Sequence, residues 1–298
     1  MAQNSPPQPA LSWTVVGQGA IGLLAASRFK LAGWPVQLWL RQPAPVDICF
    51  NQQPLHFACA TAPITAVLIP VKSYAVPAAV QALLPALAAD AQLVLSHNGM
   101  AATEHILPLL SPAQGLWFLT TTHGALKQGA TVHHTGQGQS VLAPLNPAAK
   151  NQLLAVQQAM DIALGPVTLT DNILPFLWHK LAINAVINPL TALNNCSNGE
   201  LAKEQYQPQI SQILTEVCQV AAAAGYPLQY AQILEKVQQV IQSTAANFSS
   251  MQQDIAHRRR TEIDAINGYI VTQAALYNID VPYNIELTQQ VLQLQHRA

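Results

Sequence analysis

The sequence predicts an α/β first half, built as a doubly wound parallel sheet, and an all-α second half. Short apolar runs alternate with helix-length stretches up to about residue 170, and a glycine-rich turn follows the first run. From about Asp171 onward, apolar residues recur at spacings of three and four. The 298 residues suffice for two cores. We therefore expect a loose leader over 1–12, a first domain over 13–170 and a helical second domain over 171–298.

Strand-length apolar runs bounded by turn residues define the first half: WTVV, VQLWL, TAVLIPV, AQLVLS and GLWFLTT. Between them, AIGLLAASRFKLAG and VPAAVQALLPALAAD have helical length. This alternation predicts parallel βαβ units with right-handed crossovers. Around TVHHTGQGQSVLAPL the pattern becomes hairpin-like, which predicts an antiparallel extension of the sheet.

The second half contains four helix-length amphipathic segments: ILPFLWHKLAINAVINPLTAL, PQISQILTEVCQVAAAAG, AQILEKVQQVIQSTAANF and TEIDAINGYIVTQAALYNI. Pro189 lies inside the first of them, and a proline should kink or end that helix just after Asn188. A crevice between two such domains is the expected position of a small-molecule site.

Composition and charge exclude several classes of protein. Half the residues are hydrophobic, 9% are charged and the net charge is −1, so neither nucleic acid nor an anionic membrane is an expected partner. No apolar run reaches the roughly 18 residues of a membrane span. The start lacks the basic and apolar regions of a secretory signal, and the four cysteines show no CxxC spacing. A cytoplasmic protein with reduced thiols is therefore expected.

The sequence offers no metal site. Its nine histidines are scattered, and neither HExxH nor CxxC occurs. The adjacent His133 and His134 would face opposite sides of a strand.

The glycine turn has the pattern G-x-G-x-x-G. Gly17 would form the tight turn, Gly19 would let a pyrophosphate approach the backbone, and Gly22 would let helix and strand pack closely. A helix that begins at Ala20 would offer its free N–H groups to phosphates. A glycine-rich turn that merely packs is the alternative, but the order strand, motif, helix, strand favours dinucleotide binding. The expected contacts are Gly17, Gln18, Gly19, Ala20, Ile21 and Gly22.

Arg41 stands at the end of the second predicted strand, beside the expected adenosine ribose. An acidic residue there would accept a hydrogen bond from a 2′-hydroxyl, whereas a guanidinium binds a 2′-phosphate bidentately. No carboxylate occupies the neighbouring positions, so the expected cofactor is NADPH rather than NADH. Lys72 could add a second charge on the same side, or it could be a surface lysine. A solvated arginine at a strand end is the alternative reading of Arg41.

Lys180, Asn184 and Asn188 recur every four residues and share one helix face, drifting only about 80° around the axis. In an apolar cleft the charged form of a lysine is disfavoured, so the pKa of Lys180 should move towards neutrality. The lysine could then protonate an alkoxide as a hydride reaches a carbonyl carbon. The asparagines could donate to a carboxylate or hydroxyl. A polar stripe at a helix–solvent boundary is the alternative.

A second polar cluster contains Ser250 and Glu262. One straight helix would place them about 120° apart, so they could contact one ligand only if the helix starts late or the ligand bridges them. The short basic run from His257 to Arg260 is better explained as a solvated helix face than as a nucleic-acid groove.

Several of these stretches, in this order, closely resemble the bacterial ketopantoate reductase family. They are GQGAIG, WLR ending at Arg41, VKSYAV around Lys72, HNGM at 97–100, TTTHGA at 120–125, WHKLAINAVINPLTALNNCSNGEL and SSMQQDIAHRRRTEIDAINGYI. The last two are far more specific than the glycine turn. The resemblance implies a Rossmann-type domain and a C-terminal domain like that of 6-phosphogluconate dehydrogenase. It also implies NADPH-dependent reduction of 2-dehydropantoate, a small 2-keto acid, to (R)-pantoate on the route to pantothenate and coenzyme A.

The resemblance also assigns roles to individual residues. It implies that Lys180 is the general acid and that Asn98 lies between nicotinamide and substrate. Glu262 would organise the closed complex near the nicotinamide ribose. The substrate's carboxylate and hydroxyl would be held by Asn184, Asn188, Asn198 and Ser250, and the cofactor by the backbone of Ala125 and the charges of Arg41 and Lys72.

Two other functions compete with this one. An NADPH-dependent β-hydroxyacid dehydrogenase would share the two-domain plan and a lysine followed by an asparagine four residues on, although the SSM…TEID segment argues against it. A non-catalytic NADPH-sensing protein is disfavoured by the presence of both Lys180 and Glu262. Monomer and homodimer both remain open, because any of the helices could carry an interface.

Overall fold

The computed structural model describes residues 11–100 and 103–297 of the chain. The predicted leader over 1–12 lies outside the described residues, apart from its last two positions. The chain divides into two compact units. The first runs to His97 and resumes after residue 101 up to Ile173, and the second takes the short segment that begins at Asn98 together with everything from Leu174 onward. Within the described part of the chain, no helix is long and apolar enough to cross a membrane.

The strands all precede the second unit's helices in sequence. They are β1 Trp13–Val16, β2 Val36–Trp39, β3 Val46–Phe50, β4 Gln53–Phe57, β5 Ile64–Ile69, β6 Leu87–Leu95, β7 Gly115–Thr121, β8 Gly124–Gln128, β9 Thr131–Gly136, β10 Ser140–Pro144 and β11 Val167–Leu169. The α-helices are α1 Ala20–Leu31, α2 Val76–Leu83, α3 Pro147–Lys150, α4 Leu153–Leu164, α5 Leu174–Asn194, α6 Gln207–Ala223, α7 Tyr230–Ser243, α8 Ser250–Ala256, α9 Asn267–Leu276 and α10 Pro282–Arg297.

The main sheet of the first unit has the order β11-β10-β7-β6-β5-β1-β2. Its strands β2, β1, β5, β6 and β7 are parallel neighbours, which confirms the predicted α/β class. β1 is buried at all four residues, as expected for a strand covered on both faces. β10 pairs antiparallel with β7, so the sheet does have an antiparallel extension.

The predicted hairpin over TVHHTGQGQSVLAPL is wrong. β9 pairs with β8 and β3 in a second sheet of order β4-β3-β9-β8, whereas β10 belongs to the main sheet. The intervening residues therefore lead from one sheet to the other. Gly138 is essential to this path, because a Cβ there would lie 2.4 Å from the backbone nitrogen of His123. The sequence did not reveal the second sheet because β3 and β4 are short and partly exposed.

The helical unit is organised around α5, which packs against α6, α7, α8 and α10. Its apolar side chains are buried along most of its length, as the predicted periodicity requires. This confirms the all-α class of the second half. Of the two outcomes predicted at Pro189, a kink or a helix end, the helix end does not occur: α5 continues through Pro189 to Asn194. A side chain from α9 supplies the hydrogen bond that the proline cannot make, as described below.

Candidate active site

The glycine turn lies where β1 meets α1. Gly17 has φ +80°, a conformation that L side chains rarely adopt, and its N–H donates to Trp39 O at 2.8 Å. A Cβ on Gly22 would lie 3.0 Å from Cγ of Pro70 and 3.4 Å from Cγ1 of Val15. The first and third glycines of the motif therefore have the tight-turn and close-packing geometry that the sequence predicted.

The second glycine faces open space. Gly19 is the N-cap of α1, no side chain caps the helix, and a Cβ there would meet nothing within 4 Å. The first turn of α1 carries no acidic residue. N–H groups at an uncapped helix start attract anions, and the open backbone at Gly19 leaves room for one. These residues fit the pyrophosphate of a dinucleotide.

Two predicted phosphate-binding residues follow strands that flank β1. β2 ends at Trp39, so Arg41 lies two residues beyond the strand rather than at its end, and it is exposed. Lys72 is half-buried. It follows β5 and directly precedes a one-turn 3₁₀ helix, Ser73–Ala75. β2, β1 and β5 are parallel neighbours, so their carboxyl ends lie along one edge of the sheet. Arg41, Lys72 and the glycine turn each follow one of these strands at that edge. Ala125 is half-buried in β8 of the second sheet.

Lys180 lies on α5 and is half-buried. Burial lowers its pKa to about 8, while the carboxylate of Glu262 acts in the opposite direction and raises it. The shift has the direction expected of a lysine on an otherwise apolar face. An amine with this pKa is mostly protonated at neutral pH, yet it releases its proton far more readily than an ordinary lysine.

Glu262 is only 4% exposed, and Asn98 donates a hydrogen bond from Nδ2 to its Oε2 at 3.2 Å. The preceding residue, Thr261, is fixed by Gln295, whose Oε1 accepts from the Thr261 N–H at 2.7 Å and from its hydroxyl at 3.1 Å. The bonds of Thr261 therefore fix the backbone next to Glu262, and Asn98 orients its carboxylate. That carboxylate raises the pKa of Lys180.

Gly99 holds Asn98 in this arrangement, and sequence reasoning did not assign it a role. Its φ is +72°, and a Cβ there would lie 2.2 Å from the carbonyl oxygen of Ala265. The next residue, Met100, donates its N–H to that oxygen at 2.8 Å. Residues 98–100 therefore pack on the turn that follows Glu262. The signal available in the sequence was the Asn-Gly dipeptide, which is typical of tight turns.

The asparagines predicted to hold a substrate have different surroundings. Asn184 is half-buried and Asn188 is 6% exposed, both on α5. Asn198 donates from Nδ2 to the Thr244 hydroxyl at 2.9 Å, and its buried Oδ1 has no hydrogen-bond partner among the described residues. In the structure, therefore, the donor group of Asn198 already has an acceptor.

Ser250 is exposed at the first position of α8, and Ser249 caps that helix by accepting from the Gln252 N–H at 3.1 Å. The hydroxyl of Thr191, on α5, donates to Ser249 Oγ at 2.7 Å. No straight helix joins Ser250 to Glu262, because α8 ends at Ala256. Arg258, with φ +54°, follows in the left-handed region. The 120° separation predicted for a straight helix therefore does not apply.

Within residues 11–100 and 103–297, no group of three or more His, Cys, Asp or Glu side chains could hold a metal ion. Two histidines do contact each other: Nδ1 of His123 and Nε2 of His134 lie 3.0 Å apart. His123 Nε2 lies 3.1 Å from the carbonyl oxygens of Leu164 and Gly165. The pair therefore has a structural explanation, because it connects the residue before β8 with β9 and with the carbonyl groups at the end of α4.

Comparison with known proteins shows which family the whole chain resembles. The family model described as "Ketopantoate reductase PanE/ApbA" matches residues 13–147, and "Ketopantoate reductase PanE/ApbA C terminal" matches residues 172–295. A 2-dehydropantoate 2-reductase from Vibrio cholerae is 42% identical over 292 residues, which cover 94% of this chain and 97% of that protein.

Solved structures share the fold. D-mandelate dehydrogenase with NADH and anilino(oxo)acetate superimposes with a TM-score of 0.85 at 19% identity, over 96% of this chain and 99% of that chain. A dimeric ketopantoate reductase from Staphylococcus aureus gives a TM-score of 0.80 at 23% identity, with the same coverage. These identities establish the fold alone. The two family models and the high identity to the Vibrio cholerae enzyme establish that the chain belongs to the ketopantoate reductase family.

Proposed function

We propose that this chain reduces the keto group of 2-dehydropantoate to (R)-pantoate with NADPH, as an oxidoreductase of pantothenate and coenzyme A biosynthesis. We also propose that Lys180 is its general acid. The observation that carries this assignment is the half-buried Lys180 amine, with a pKa near 8, under the influence of a Glu262 carboxylate that Asn98 hydrogen-bonds. A lysine with this pKa is suited to giving a proton to a carbonyl oxygen as that oxygen gains charge.

NADPH, when bound, supplies the hydride that reaches the substrate's keto carbon. The backbone from Gly17 to Gly22 would contact its pyrophosphate, an assignment supported by the open, uncapped start of α1. Arg41 and Lys72 would neutralise the 2′-phosphate. The expected further contacts are the backbone of Ala125 and the side chains of Asn98 and Glu262.

Proton transfer is assigned to this chain's own groups. Lys180 Nζ would hold the proton and donate it to the keto oxygen, becoming a neutral amine. Glu262 favours the charged form of the amine, so it keeps a larger fraction of Lys180 protonated near neutral pH. Burial of the lysine opposes this and makes the proton easier to release. The two influences together set a pKa suited to turnover at neutral pH.

Substrate orientation is assigned to neutral amides and a hydroxyl. A carboxamide can donate to a carboxylate and accept from a hydroxyl without adding charge beside Lys180. Asn184 and Asn188 lie one helical turn apart on α5, the helix that carries the lysine. Asn198 would have to exchange its bond to Thr244 for one to the substrate. The full proposed set is Asn98, Lys180, Asn184, Asn188, Asn198 and Ser250.

A substrate panel tests the function. Purified protein should oxidise NADPH steadily with 2-dehydropantoate and far more slowly with a set of 3-oxo acids, the oxidised forms of 3-hydroxy acids. Preference for a 3-oxo acid would identify a β-hydroxyacid dehydrogenase instead. Tight NADPH binding without turnover on any member of the panel would identify a sensing protein.

Assembly and location are further parts of the proposal. The related Staphylococcus aureus enzyme is described as dimeric, which supports a homodimer here, and sedimentation or light scattering would measure its mass. The four cysteines are free thiols in the structure, as expected of a cytoplasmic protein, and cell fractionation would test that location.

A further inference from the structure

Pro189 creates a hydrogen-bonding problem inside α5. In a regular helix the N–H of residue 189 would donate to the carbonyl of Ala185, but proline has no N–H. Ala185 is fully buried, so water cannot replace the missing donor. A buried carbonyl without a partner is strongly unfavourable, and the helix would bend to expose it.

A side chain from another helix solves this problem. Asn267, the first residue of α9, donates a hydrogen bond from Nδ2 to Ala185 O at 3.0 Å. Asn267 is itself fully buried. The side-chain amide therefore stands in for the backbone donor that Pro189 removes, and α5 remains one continuous helix to Asn194.

The Asn267 amide is held by a buried network. Its Nδ2 also donates to Asn284 Oδ1 at 3.0 Å, while its own buried Oδ1 has no partner within the part of the chain that the structure describes. Asn284 donates in turn from Nδ2 to Oε2 of Glu216 at 2.6 Å. The same carboxylate accepts the backbone N–H groups of Tyr283 and Asn284, each at 2.9 Å, at the start of α10. The donor group of Asn267 thus has two acceptors that fix its direction.

We propose that Asn267 is a positioning residue for the substrate-binding face of α5. Ala185 lies between Lys180 and Asn184 on one side and Asn188 on the other. Bending the helix at this carbonyl would therefore change the spacing of the polar groups that hold the 2-oxo acid. Asn267 prevents that bend. The inference rests on the proposed function for its effect on substrate binding, but the replacement of the proline's missing donor is a property of the fold.

The test is a rescue experiment. Asn267→Ala should raise KM for 2-dehydropantoate roughly tenfold, because the substrate-binding face is distorted, while kcat changes by less than about threefold. Adding Pro189→Ala restores a backbone N–H that can donate to Ala185 O. The double variant should return KM to within about threefold of the parent. A purely structural role would instead lower the active fraction, and with it apparent kcat, without moving KM.

Asn284→Ala is the matched control. It removes the other acceptor of the same Asn267 amide but leaves the bond to Ala185 O, so Pro189→Ala should not improve its KM. Rescue of the Asn284 variant, or failure to rescue the Asn267 variant, would overturn the inference. If Asn267→Ala does not fold, a folded double variant with near-parental KM supports the proposal, and an unfolded double variant refutes it.

Thermal unfolding separates this inference from the proposed function. Pro189→Ala should raise Tm more in the Asn267→Ala background than in the parent, whatever the substrate. Additive Tm changes would refute the helix-repair role. A parent that fails to turn over 2-dehydropantoate while the Tm changes are non-additive would instead refute only the proposed function.

Discussion

Asn98 donates a hydrogen bond to Glu262 across 164 positions of sequence, with 3.2 Å between Nδ2 and Oε2. Asn98 lies three residues after the end of β6, yet the segment from Asn98 to Met100 belongs to the helical unit. The same carboxylate raises the pKa of Lys180. A hydrogen bond therefore links Asn98 to the buried Glu262, and an electrostatic interaction links Glu262 to Lys180, the proposed proton donor.

Replacing Lys180 with alanine should remove the proton donor. We expect kcat for 2-dehydropantoate to fall about 10²- to 10⁴-fold, the usual contribution of a general acid, with NADPH affinity roughly retained. Stopped-flow turnover and fluorescence titration of the cofactor would measure the two quantities. Near-normal turnover would show that another group supplies the proton.

The rate should depend on pH through the protonated fraction of Lys180. Its pKa is about 8, so kcat for reduction should be level below that pH and should fall about tenfold per pH unit above it. Glu262 raises this pKa, so Glu262→Gln should move the fall in rate to lower pH. A shift to higher pH, or none, would contradict the electrostatic role of Glu262.

Gly99→Ala should separate Asn98 from Glu262. The added Cβ would lie 2.2 Å from Ala265 O, so the backbone must shift and kcat/KM should fall at least about tenfold. Gly33→Ala is the matched control, because Gly33 has a similar φ of +78° but open space around its Cβ position. Both variants carry backbone strain of about 1–3 kcal/mol, and only Gly99→Ala should lose activity per folded molecule. Equal activity losses would attribute the effect to strain alone.

Gly19→Ala should weaken cofactor binding without unfolding the protein. Its φ is −68°, which alanine adopts readily, and the Cβ would meet no protein atom within 4 Å. Tm should therefore fall by no more than about 2–4 °C, the effect of about 1 kcal/mol. The Cβ would occupy the space proposed for the pyrophosphate, so Kd for NADPH should rise at least about tenfold. Unchanged affinity by calorimetry would place the cofactor elsewhere.

Arg41→Ala should reduce the preference for NADPH over NADH. Loss of a charge-assisted bond to the 2′-phosphate should raise KM for NADPH about 10- to 100-fold while leaving KM for NADH nearly unchanged. Lys236→Ala, at an exposed position on α7 of the helical unit, also removes a positive charge and should affect neither cofactor. A parallel loss for both cofactors would assign Arg41 to the adenosine rather than to its phosphate.

Local sequence determined much of this protein. Apolar spacing predicted the parallel strands and the helices of the second unit, because periodicity reports which face of an element is buried. The G-x-G-x-x-G pattern predicted the distinct surroundings of Gly17, Gly19 and Gly22 because each role depends on the backbone within a few residues. The turn-to-turn spacing of Lys180, Asn184 and Asn188 likewise placed them on one helix.

Only the tertiary structure decided the features that depend on distant partners. The second sheet pairs β3 with β9, the Asn98–Glu262 bond joins residues 164 positions apart, and Asn267 replaces the donor that Pro189 lacks. Short-range patterns contain no information about such partners, because a hydrogen bond between remote residues leaves no period in either segment. For this reason the sequence alone wrongly predicted a hairpin, where strands from other parts of the chain supply the pairing partners of β9 instead.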